Sequence, residues 1–226
     1  MIRPVAKLDE SRLDTVDWGK AMTRLSSSAR LAAGVLALSA WIGLGIYLAA
    51  ETARQDGNVL EALWINAGFL TDLSNLLLAV VMTGVALQVP TLSRPHIVGW
   101  AIAAIATVGV GFWLIGGRLI PGQSTVEDIL LHGVTPLGGL LFWIVFVPKG
   151  ELRWRLAAAW LAWPLGYFSY ALARGALTGE YAYPFLDPTK STATEIALVV
   201  GQITLLFACW TTVLLVLDRM MSRKRP

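Results

Sequence analysis

Two residues of this 226-residue chain carry the types and placement from which covalent chemistry can be built. His132 lies inside the apolar run Ile129-Leu-Leu-His-Gly-Val-Thr-Pro-Leu-Gly-Gly-Leu-Leu-Phe-Trp-Ile-Val-Phe-Val147. An imidazole in such a run costs free energy, so it marks a functional site and calls for a partner. Thr71 lies in a second apolar run, Phe69-Leu-Thr-Asp-Leu-Ser-Asn-Leu-Leu-Leu78, where Thr71, Ser74, Asn75 and Leu78 share one helix face at i, i+3, i+4 and i+7. Asp128 precedes His132 by one turn, close enough to orient its ring, and Asp72 adjoins Thr71. A hydroxyl, an imidazole and a carboxylate are the raw material of a nucleophile, its general base and an orienting acid. Farther along, Trp163, Tyr167, Tyr170 and Arg174 form another helical stripe, followed by the aromatic segment Gly179-Glu-Tyr-Ala-Tyr-Pro-Phe-Leu-Asp187. Glu195 and Gln202 are candidates for the same cavity.

The elements that must position these groups are membrane spans. The chain is 56% hydrophobic and 15% charged, with a mean hydropathy of +0.63; a soluble domain carries roughly 25% charge. Ten tryptophans and five tyrosines suit helix ends anchored at lipid headgroups. A hydrocarbon core of about 30 Å takes about 20 apolar residues per helix. Runs of that length fall near 30–50, 66–89, 96–116, 126–147, 154–174 and 193–217. The expected fold is an all-α six-transmembrane-helix bundle over 29–218, with a cytoplasmic segment 1–28 and a basic tail 219–226. Fourteen Lys and Arg residues fall on one side of these spans and four on the other, so both termini are expected in the cytoplasm. The long charged leader does not read as a cleaved signal peptide. Residues 13–25 suit either a short interfacial helix or a solvated segment. With the second and fourth spans both entering from the outer side, Thr71 lies about five to eight residues in, roughly 8–12 Å deep, and His132 lies at nearly the same level. Tyr167 reaches that level from the fifth span, which Pro164 is expected to kink.

Each residue also has a plainer reading. A membrane threonine commonly bonds its own i−4 carbonyl, Asn75 suits interhelical glue, and His132 suits a structural donor. Tyr167 and Tyr170 suit packing. Arg174 suits an interface anchor or a dock for a carboxylate. His96 falls at the opposite face from His132, which excludes bis-histidine haem, and no Cys/His/carboxylate cluster suggests zinc. No cofactor is expected. The single cysteine, Cys209, permits no intrachain disulfide and reads as a packing residue. The basic residues sit at span ends, so nucleic acid is not an expected partner.

Three segments together resemble a known family. Phe69-Leu-Thr-Asp-Leu-Ser-Asn-Leu resembles the Tyr-Phe-Thr-x-x-Ser-Asn-Leu segment of the bacterial Pr6Pr membrane proteins, and Leu131-His-Gly-Val-Thr-Pro-Leu resembles their His-x-x-x-Pro segment. Trp163-Pro-Leu-Gly-Tyr, Arg174-Gly and Tyr181-Ala-Tyr-Pro-Phe-Leu-Asp187 are similar to their third signature, with Ala182 where a proline is usual. That family is related to the androgen-induced and androgen-dependent membrane proteins of animals, six-helix enzymes that hydrolyse fatty acid esters of hydroxy fatty acids with an intramembrane Thr and His. The resemblance implies Thr71 as nucleophile and His132 as base. It also implies a lipid ester as substrate and residence in a bacterial cytoplasmic membrane. Asn75 or Ser74 is the expected oxyanion donor; Asp72, Asp128, Tyr167, Tyr170, Arg174, Tyr181, Tyr183 and Asp187 are the expected supporting residues. The rival expectation is a lipid-binding or transport protein that uses the same polar cluster as a ligand site.

Overall fold

A computed structural model describes residues 25–114, 117 and 125–222, and all regular structure among them is helical. In chain order the helices are α1 (Ser27–Arg54), α2 (Val59–Asn66), α3 (Leu70–Ala86), α4 (Pro95–Leu114), α5 (Val126–Ile129), a π-helical turn (Leu130–Val134), α6 (Thr135–Phe146), α7 (Trp154–Ala159), α8 (Ala162–Thr178), a 3-10 turn (Pro184–Leu186) and α9 (Ala193–Ser222). Five helical segments are long and apolar enough to cross a membrane, and a sixth is obtained if the bent pair α2–α3 counts as one. Helix α4 is the hub. Its alanine-rich stretch from Ala101 to Gly109 is wholly buried, and it packs against α3, α6 and α9. Small side chains let helix backbones approach closely where no aqueous hydrophobic effect drives them together. A Cβ on Gly109 would stand 2.7 Å from Pro136, so α4 and α6 meet there at glycine-only separation. Helix α9 is the most exposed span and turns much of its apolar surface outward, as a lipid-facing helix must.

The second apolar run departs from the single helix expected over 66–89. Helix α2 ends at Asn66, α3 starts at Leu70, and the two axes differ by 96°. Gly68 makes the corner: a Cβ there would fall 2.0 Å from an Arg174 terminal nitrogen and 2.9 Å from the Ile65 carbonyl, so no other residue fits. The 17 residues of α3 measure about 26 Å, slightly short of a full hydrocarbon core. Thr71 therefore occupies the first turn of a helix, not a position several residues into one.

The interruption expected at Pro164 is present as a break between α7 and α8. The chain there tightens to i→i−3 bonds, with the Trp163 amide donating to the Trp160 carbonyl at 2.9 Å, since Pro164 has no N–H to continue the α ladder. Nearly all of the 13–25 segment and the tail beyond Ser222 lie outside the described residues. Cys209 is exposed on α9, not packed inside. Glu195 and Gln202 are exposed too. Glu195 closes a capping box instead, its carboxylate accepting from the Thr192 amide at 2.7 Å while the Thr192 hydroxyl accepts from the Glu195 amide at 3.3 Å.

Candidate functional site

The α2–α3 corner frees the threonine. In helix interiors, Thr83, Thr107, Thr211 and Thr212 donate their hydroxyls to the carbonyl four residues back, as does Thr178 at the end of α8. Thr71, second residue of α3, has no such carbonyl within its own helix. Its hydroxyl lies 3.4 Å from His132 Nε2. That is loose for a hydrogen bond, as nucleophile–base contacts commonly are before substrate binds.

His132 is held by an irregularity of the opposite helix. Pro136 has no N–H to give the His132 carbonyl, and its ring would crowd that carbonyl in a regular turn. The helix answers by widening: the Thr135 amide reaches back five residues to Leu130, forming the π turn in which His132 sits. The ring stacks on Phe112 of α4, with centroids 4.1 Å apart and planes 22° from parallel. On its other side, Nδ1 lies 3.7 Å from an Asp128 carboxylate oxygen, within ion-pair reach though longer than a hydrogen bond. Of the two carboxylates, Asp128 is the one set against the imidazole. Asp72 is buried beside Thr71, with one oxygen lacking a partner.

The π turn strips the Leu131 carbonyl of its helical donor, and Asn75 replaces it. The Asn75 amide nitrogen donates to Leu131 at 3.2 Å and to the Thr71 carbonyl at 3.0 Å. Its oxygen accepts from the Thr135 hydroxyl at 2.7 Å. Asn75 thus ties the Thr71 turn to the His132 turn, fully buried, behind the pair. Ser74 is also fully buried and accepts from the Trp163 indole at 3.3 Å. Neither residue borders the cavity, so neither can meet an oxyanion there. That expectation is corrected.

The donors beside the cavity are the expected supporting residue Tyr183 and the N-terminal amides of α3, which the sequence reading did not include. No side chain caps α3, whose N-terminal amides begin at Leu70 and Thr71. The Tyr183 phenol lies against the Thr71 side chain and the Leu70 and Thr71 amides. Burial pushes that phenol up to about 12, while the Thr71 contact pulls the other way, so it remains a protonated donor at neutral pH. Tyr183 is held edge-on to Phe69 at 5.4 Å and stacked on Phe185 at 4.8 Å. Tyr167 donates to the Gly68 carbonyl at 2.8 Å, fixing the corner itself.

These groups surround a cavity of about 210 Å³. Thr71, His132, Asp72, Asp128, Tyr167 and Tyr183 supply its polar wall, and Tyr47, Phe69, Val108, Phe112, Phe168, Phe185 and Ile203 its apolar one. The remaining sequence candidates lie elsewhere. Tyr170 faces outward. Tyr181 packs against Gly175, where a Cβ would approach its ring to 2.2 Å. Asp187 accepts from the Thr189 amide at 2.9 Å and hydroxyl at 2.6 Å, closing its own loop. Arg174 is buried against Trp64. No group of His, Cys, Asp and Glu able to hold a metal occurs among the described residues. His96 and Phe112 are separated by sixteen positions along α4, about 24 Å of helix, which keeps His96 far from the His132 ring stacked on Phe112. Comparison of the chain with protein-family models, curated proteins and solved structures finds no match.

Proposed function

We propose that the protein is an intramembrane lipid-ester hydrolase acting on fatty acid esters of hydroxy fatty acids or related acyl esters. The observation that carries this reading is the Thr71 hydroxyl, released from back-bonding and placed 3.4 Å from His132 Nε2 at the wall of a largely apolar cavity. Thr71 Oγ attacks the ester carbonyl as His132 Nε2 takes its proton. Charge developing on the carbonyl oxygen is met by the α3 N-terminal amides and the Tyr183 phenol. Collapse breaks the ester C–O bond, and His132 returns the proton to the departing alkoxide, which leaves as an alcohol. Water, deprotonated by His132, then attacks the acyl-threonine, and Thr71 recovers its proton as the fatty acid leaves. The Asp128 carboxylate, 3.7 Å from Nδ1, favours the tautomer with Nδ1–H on its side, which leaves Nε2 free to accept.

The cavity holds the reacting ester and a few adjoining methylenes, and the remaining chain extends into lipid through the apolar wall. In this reading the chain crosses a bacterial cytoplasmic membrane six times with both termini in the cytoplasm, and the site lies in the outer half, where an ester just below the headgroups can enter laterally.

The test is hydrolysis of such an ester by the purified protein in lipid nanodiscs. Wild type is expected to release fatty acid, with Thr71→Ala and His132→Ala each reduced by at least about 10³-fold, a loss typical for members of a nucleophile–base pair. Binding without turnover by folded wild type would instead favour the lipid-binding alternative.

A further inference from the structure

Arg174 is a cation without an acid. Its side chain is only 8% exposed, yet among the described residues no carboxylate pairs with it, and its Nε has no acceptor. The guanidinium lies over the Trp64 ring, 4.3 Å from the centroid, and a terminal nitrogen presses on the Gly68 backbone at the α2–α3 corner. Trp64 is itself partly exposed, so this pocket lies near the protein surface. A stacking contact offsets some of the desolvation of the cation but satisfies none of its five N–H donors. Leaving a buried donor unpaired in a low-dielectric setting is unfavourable, and an arriving anion removes that penalty. A planar guanidinium fork matches carboxylate and phosphate oxygens.

Its position relative to the cavity follows from the chain. Gly68, on which the guanidinium rests, is three residues from Thr71, so an anion held by Arg174 lies on the order of 10 Å from the Thr71 hydroxyl. We infer that Arg174 anchors the anionic end of the lipid, a carboxylate or a phosphate separated from the ester by a medium-length chain. This rests on the reading that the cavity takes an acyl lipid, and it adds that neutral lipids of equal length are poor ligands. The Arg174 anchor selects, while the Thr71–His132 pair cleaves.

Binding of non-ester ligands tests the anchor apart from the chemistry. Native mass spectrometry of the full chain in neutral detergent would compare a long-chain fatty acid, a lysophosphatidic acid and the matching fatty alcohol. Wild type is expected to prefer at least one of the anions over the alcohol by about tenfold. Arg174→Gln is expected to bring the ligands within about twofold of each other, and Arg174→Lys to retain part of the preference. Preference for the fatty acid assigns the anion to an acyl-chain carboxylate, and preference for the phosphate assigns it to a headgroup. Equal binding of all three ligands by wild type, a result that needs no variant to fold, overturns the inference. So does an anion preference that survives in Arg174→Gln. If the preference follows Arg174 but no ester is hydrolysed, the hydrolase reading falls alone.

Discussion

Replacing Asn75 by leucine asks whether the clamp behind the cavity positions the reacting pair. Leucine nearly preserves volume, so the main loss is three hydrogen bonds: to the Thr71 carbonyl, to the Leu131 carbonyl and from the Thr135 hydroxyl. Interhelical hydrogen bonds in membranes average about 0.6 kcal/mol, so the three together amount to about 2 kcal/mol of stability. Catalysis is expected to suffer more. Thr71 sits in the first turn of α3 and His132 in a π turn, and Asn75 is the side chain bonded to both turns. A relative slip of about 1 Å between nucleophile and base costs about 10²-fold in rate. Because Asn75 does not border the cavity, the loss should appear in kcat with KM little changed. Steady-state hydrolysis gives the split, and unfolding in mixed micelles gives the stability. A cycle with Thr135→Val is expected to show coupling of about 0.6–1.7 kcal/mol between two fully buried partners 2.7 Å apart. A kcat within twofold of wild type alongside the stability loss would refute the positioning role and leave Asn75 as glue.

Three further outcomes follow from the geometry. Pro136→Ala restores a donor to the His132 carbonyl and is expected to regularise the π turn, stabilising the helix while lowering kcat at least about tenfold, since His132 rotates away from Thr71; unchanged activity would show that the π turn does not matter. Tyr183→Phe removes one cavity-facing donor and keeps the ring stack on Phe185, so kcat is expected to fall about 10²-fold with stability nearly unchanged. For the loop that presents Tyr183, the Thr189 hydroxyl and amide, with Lys190, hold the Asp187 carboxyl below its usual range. A lowered folded-state value means that the loop contact is present above the unfolded carboxylate's pKa of about 4 and is lost as pH falls through the lowered value. The protection of the Thr189 amide, taken as its exchange rate relative to the intrinsic rate at each pH, is expected to fall on acidification below the ordinary carboxylate range, and Asp187→Asn should blunt that response.

Much of the helix inventory was legible because span length and apolarity are properties of contiguous sequence. The Thr71–His132 pairing was suggested by counting residues from the run ends, on the expectation that both runs enter from the same side; the two side chains do meet at 3.4 Å, although Thr71 sits in the first turn of α3 and not several residues into a span. The break at residues 67–69 was not legible, because Asn66-Ala-Gly-Phe69 is embedded in apolar residues and only Gly68 marks the corner. Missing that corner hid the consequence that matters most, namely that Thr71 belongs to a helix N-terminus, with the Leu70 and Thr71 amides and the Tyr183 phenol beside it. It also made Asn75 look like a cavity donor, when helix rotation turns it toward Leu131 and Thr135. Two signals were available. Pro136, four residues after His132, marks a disturbed helix turn, and Thr192-Ala-Thr-Glu195 has capping-box spacing that assigns Glu195 to a helix start. Which of Tyr181 and Tyr183 enters the cavity depends on loop geometry that neither period nor composition encodes.

The central claim is that the Thr71 hydroxyl is the nucleophile and His132 its base. A lipid-tailed fluorophosphonate, followed by peptide mapping, tests it most directly. The account expects one adduct, on Thr71, formed by wild type and by Thr71→Ser and lost in His132→Ala. Labelling at another residue, or undiminished labelling in both Thr71→Ala and His132→Ala, would contradict it.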